Sequence, residues 1–128
     1  MWRAGPDPLR AADLVVSADF PGGSAEVLTL DPVHRTIEIA PRCEPGRGWP
    51  CCWYARVDGA RVGETVTVRV VSSRRPYRGT TILRGRWALP DRAVISTDDV
   101  HWVQTPPGRS GPQGIAYVLA APAHRFWI

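Results

Sequence analysis

The chain has 128 residues, 44% of them hydrophobic, and a formal net charge of +4. That length is one domain, which buries roughly two thirds of the surface its unfolded chain exposes and needs no metal or disulfide to hold a core. No run of about 18 apolar residues is present to cross a membrane as a helix, and all 16 basic residues are arginine, as much a coding bias as a sign of an acidic partner.

Residues 1–13 are rich in proline, arginine and alanine without periodicity and read as an N-terminal arm. Asp7 and the prolines break any charged-then-apolar secretory layout, and the odd set Cys43, Cys51 and Cys52 fits reduced thiols, so a cytoplasmic protein is expected. From Leu14 the pattern turns strand-like: Leu14–Ser17, a turn at Asp19–Gly23, then Ala25–Leu30, closed by Asp31-Pro32. Thr36–Ala40 alternates polar and apolar residues, and a loop runs from Pro41 to Pro50.

The strongest signal lies between Cys51 and Val71. Trp53, Ala55 and Val57 share one strand face, as do Val66, Val68 and Val70, and Asp58-Gly59 with Gly63 supplies a reversal, so this stretch predicts a β-hairpin. A basic patch follows, with Arg74, Arg75, Arg78, Arg84 and Arg86 around Tyr77 and Trp87. Ala93–Ser96 and His101–Val103, turned by Thr97–Val100, predict a second hairpin, and Ile115–Ala120 a last strand. Residues 14–123 thus read as an all-β, antiparallel β-sandwich (a flattened barrel) of eight or nine short strands. Core candidates are Trp53, Tyr54, Val57, Val66, Val68, Ile95, Trp102 and Tyr117. Residues 124–128 read as the start of a linker or C-terminal tail, and the apolar run Phe126, Trp127 and Ile128 as contacts for a partner domain.

Motifs for chemistry are sparse. Adjacent strand residues point to opposite faces, so Cys51 and Cys52 are poorly placed to share a metal, and no nucleophile elbow, phosphate loop or dinucleotide fingerprint occurs. Asp98, Asp99 and His101 fit a turn better than an acid/base group. Nucleic-acid binding calls for a concentrated basic stripe with stacking aromatics, which only residues 74–87 approach, and is not expected.

Four stretches together resemble the N-terminal β-domain that precedes the catalytic domain in cytosolic-type zinc carboxypeptidases, the branch that includes the tubulin deglutamylases. They are Ser17–Ser24, Trp53–Val57 with Gly59-Ala60-Arg61, Ala93–Ser96 through His101-Trp102, and Ile115–Val118 through Pro122. Cys51-Cys52, Pro50 and the arginine-rich 74–86 region depart from that pattern. The resemblance implies a non-catalytic accessory domain packed in cis on a metallopeptidase domain, shaping its cleft. It implies no cofactor in this chain: zinc is expected only in a catalytic domain outside it, because His34, His101 and His124 are followed at the third position by Ile37, Gln104 and Trp127, not by the glutamate of a His-x-x-Glu motif. Arg74, Arg75, Arg78, Arg84 and Arg86 are then candidates for steering acidic peptide tails toward the cleft. The alternative is a stand-alone carbohydrate- or protein-binding sandwich, since Ser96-x-Asp98-x-x-x-Trp102 also resembles a hairpin of discoidin-like domains and Trp49 or Trp87 could serve as a sugar platform.

Overall fold

The computed structural model describes residues 14–42, 53–71, 76–77, 81–82, 89–112 and 114–128, the two short pairs 76–77 and 81–82 by backbone alone. Among the described residues there is no helix, so none is long and apolar enough to cross a membrane. The arm at 1–13, Cys43, Cys51 and Cys52, Trp49, Trp87 and the five arginines of the basic patch fall outside the described side chains.

Two sheets face each other. The smaller is antiparallel, with β4 (Arg56–Asp58) between β1 (Val15–Ser17) and β12 (Arg125–Trp127). The larger is mixed, and its strands are β2 (Glu26–Asp31), β3 (Thr36–Ala40), β5 (Thr65–Val71), β10 (Arg109–Gly111) and β11 (Gly114–Ala120), in the order β10-β11-β5-β3-β2. Two-residue ribbons complete the description: β6 (Pro76–Tyr77) with β7 (Thr81–Ile82), and β8 (Val94–Ile95) with β9 (Val103–Gln104). The all-β sandwich is therefore as expected, but no closed barrel forms among the described strands.

Alternation decides which side chains enter the gap between the sheets. Ile37 and Ile39, Val66, Val68 and Val70, and Ile115, Tyr117 and Leu119 point inward from the large sheet, while Ala55, Val57, Phe126 and Ile128 meet them from the small one. All are buried in a single cluster. Each large apolar side chain removed from water in this way contributes about 1.5–3 kcal/mol, which is why the period-two pattern survives as a sandwich. Of the core candidates, Val57, Val66, Val68, Ile95 and Tyr117 are buried, Trp53 and Tyr54 are half-buried, and Trp102 is exposed.

The predicted hairpin over Cys51–Val71 does not form. β4 pairs with β1 and β12, whereas β5 pairs antiparallel with β11 and in parallel with β3, so the two halves lie in opposite sheets. Residues 59–64 carry the chain across the end of the sandwich rather than back along it. Gly59 and Gly63 have positive φ, as a reversal requires, but their amides bond to the His124 and Ala121 carbonyls. The second predicted hairpin is present as the β8–β9 ribbon.

Residues 124–128 also differ from expectation. β12 pairs in register with β4, Phe126 opposite Val57, and Ile128 exchanges backbone hydrogen bonds with Ala55 at 2.9 Å in both directions. Phe126 and Ile128 are buried in this domain's own core, so their side chains are not left over for a partner, and the tail is a strand of the fold. Trp127 is half-buried and bridges through its backbone to Ser96.

Candidate functional site

The end of the sandwich near the crossover is fastened by charge. Arg35, in the turn between β2 and β3, has φ 51° and reaches across to the 59–64 crossover. Its Nε and one Nη donate to the two Glu64 oxygens at 2.7 and 2.8 Å, and that Nη also donates to the Gly59 carbonyl at 3.1 Å. Glu64 in turn accepts the Arg61 amide at 2.5 Å. The Arg35 guanidinium, with its forked hydrogen bonds, pulls the Glu64 carboxyl down to about 2. This is a structural clasp with every partner satisfied.

Two loops share one construction that sequence reading missed, although its signal is plain: Asp31-Pro32-Val33-His34 and Asp98-Asp99-Val100-His101 both read Asp-x-Val-His. In the first, Asp31 Oδ1 accepts the Val33 and His34 amides at 2.9 and 3.0 Å while Oδ2 meets His34 Nδ1 at 2.7 Å. In the second, Asp98 Oδ1 accepts the Val100 and His101 amides at 2.9 and 2.7 Å and Oδ2 meets His101 Nδ1 at 2.6 Å. Ser96, buried beneath that loop, donates from Oγ to Asp98 Oδ1 at 2.9 Å and accepts the Asp99 amide at 2.8 Å. Hydrogen bonding from the His101 ring and amide holds Asp98 well below the usual carboxylate range, and the Asp98 carboxylate raises His101. Both carboxylates are engaged in closing their own turns, as the turn reading of 98–101 expects.

Beside the second loop stands an aromatic cluster. Tyr54 packs edge-on against Phe20 at 4.9 Å and Trp102 at 5.8 Å between centroids, and its hydroxyl donates to Asp99. Arg56 lies 6.0 Å over the Phe20 ring. Trp102 is thus steadied by Tyr54 while part of it stays exposed; Trp49 and Trp87, the candidate sugar platforms, lie outside the described residues. Around Trp102 the β8–β9 ribbon and its turn expose Val94, Val100 and Val103, three apolar side chains turned to solvent, while Ile95 and Ser96 are buried.

Among the described residues, no three histidine, cysteine or acidic side chains gather to hold a metal. His34 and His101 each face one aspartate, and His124 Nδ1 meets the Ala60 carbonyl at 2.6 Å. These ligand sets do not fit a catalytic zinc, which takes three protein ligands and an open position.

The metallo-carboxypeptidase from Burkholderia cenocepacia superposes with a TM-score of 0.66 over 89% of this chain at 17% identity. The fold is one that metallo-carboxypeptidases contain. A metallo-carboxypeptidase from Pseudomonas aeruginosa, solved in complex with (2-guanidinoethylmercapto)succinic acid, matches with a TM-score of 0.63 over 88% of this chain at 20% identity. The chain spans 28% of the length of each of these enzymes. No protein-family model matches the sequence. WD repeat-containing protein 11 from Mus musculus is 32% identical over 100 residues, 77% of this chain but 8% of that protein. A WD-type propeller blade is a four-stranded unit of a radial array; the parallel β3–β5 pair inside a five-stranded sheet is a different arrangement.

Proposed function

We propose that this chain is the non-catalytic accessory β-domain of a metallo-carboxypeptidase, packing in cis on the catalytic domain and shaping the rim of its cleft. The observation that carries the reading is the coverage: nearly nine tenths of this chain superposes on little more than a quarter of each enzyme. A domain of that size, lacking a metal-ligand group among its described residues, acts by what it touches. With Phe126 and Ile128 committed to the core, the region that supports packing is the β8–β9 ribbon and its turn, where Val94, Val100, Trp102 and Val103 stand exposed. Burying those four side chains would contribute several kcal/mol to an interdomain contact at about 25 cal/mol per Å². The arginines at 74, 75, 78, 84 and 86 remain candidates for drawing acidic peptide tails to that rim, a pull that weakens with added salt.

The test uses the product of the whole reading frame. It should release C-terminal residues from peptides and lose that activity to a zinc chelator. Val103→Asp with Trp102→Ser should leave this domain folded yet separate its thermal transition from that of the catalytic domain. A full-length product without chelator-sensitive peptidase activity overturns the reading.

A further inference from the structure

The outer face of the large sheet carries a cleft that the packing role does not use. One row crosses the sheet in register, Arg109 on β10, Ala116 on β11, Arg69 on β5 and Glu38 on β3. Two strand spacings separate the arginines, about 10 Å between backbones, and each side chain reaches about 6–7 Å, so both guanidiniums can converge above Ala116. The small Ala116 side chain leaves an opening there of about 200 Å³, whose floor and wall are Gly111, Gly114 and Pro112.

The opening cannot be filled from below: at Gly114 a β-carbon would lie 2.0 Å from the Val70 carbonyl oxygen, which keeps the position glycine. The Arg109 side chain makes no ion pair or hydrogen bond among the described residues, and that of Arg69 is held only at 3.5 Å by Glu38. The local charge is therefore two guanidiniums against one carboxylate, a net of one positive charge that matches a monoanion. A phosphate dianion would leave an excess negative charge beside Glu38.

From this geometry we propose that the Arg69–Arg109 cleft binds a carboxylate borne on a short aliphatic stem, the carboxylate forked by the two guanidiniums and the stem lying over Ala116 and Pro112. The site is independent of the accessory-domain reading, since every residue that forms it belongs to this chain. Charge-assisted, forked pairing gives such a site its preference for carboxylate over the isosteric amide.

Titration of the isotope-labelled full chain with butyrate, followed by amide NMR, tests it. Saturable shifts are expected at Arg69, Arg109–Gly111 and Gly114–Ala116, absent with butyramide. Arg109→Ala, on an exposed edge strand, should weaken butyrate by about tenfold with the unfolding midpoint unchanged. Ala116→Leu should abolish binding by filling the opening, while both arginines stay in place. Shifts that fail to saturate, equal response to butyramide, undiminished binding in Arg109→Ala, or stronger binding of inorganic phosphate than of butyrate would each overturn the proposal.

Discussion

At the scale of single residues, Arg35 and Glu64 do the most to fix how the chain crosses between sheets. Both side chains are largely covered, at 14% and 19% exposure, so the pair is screened less than a surface bridge. Glu64 is lowered from 4.5 to about 2. Its contribution is therefore complete above pH 4.5 and is lost as pH falls from there toward 2. After allowance for solvent screening this amounts to about 1–2 kcal/mol. Glu64→Gln should lower stability by that amount at pH 7 and by less at pH 3, so the difference between the two proteins shrinks with acid; urea titrations of both at pH 7 and pH 3 would measure it. The Asp98–His101 pair makes a separate prediction. A raised histidine stabilises fully below 6.5 and loses that contribution as pH rises through its folded value, while a lowered Asp98 stabilises above 3.8. The His101 ring should titrate above 6.5 by NMR and return toward 6.5 in Asp98→Asn.

At the scale of elements, alternation told which face of each strand is buried but not which strand lies beside it. Thr36–Ala40, the three valines of β5 and the Ile115-Tyr117-Leu119 face were all legible, because a period of two follows from the pleat alone. Pairing depends on contacts between distant segments: β5 lies between β3 and β11, and β4 between β1 and β12, so an adjacent pair of good strands with glycines between them looked like a hairpin and is a crossover. The apolar ending has a related explanation: Phe126 and Ile128 belong to this domain's own core, while Trp127 is half-buried. An apolar ending looks unpartnered until the register opposite β4 shows Phe126 facing the core. Phe126→Ala should therefore cost about 3–5 kcal/mol, the toll of a cavity in a packed core, measurable as a drop in denaturation midpoint. A partner-contact residue would cost far less. Gly108→Ala should also destabilise, because a β-carbon there would meet Ile115 and Tyr117 side-chain atoms at 2.7–2.9 Å.

For the whole molecule, fold was far more legible than function. Strand periodicity and turn residues carry the sandwich, whereas the chemistry of a site depends on side chains that the topology brings together, such as Arg69 with Arg109, forty residues apart. The repeated Asp-x-Val-His was visible in the sequence, but its meaning lay in carboxylates turned back on their own loops. The family resemblance anticipated a fold that solved metallo-carboxypeptidases contain. The cis partner is the central claim built on it, and the most direct measurement is to read the source gene through the codon for Ile128 and beyond. The accessory-domain account predicts an open frame that continues into a His-x-x-Glu segment with a later histidine. A frame with no such segment on either side of these residues would contradict it.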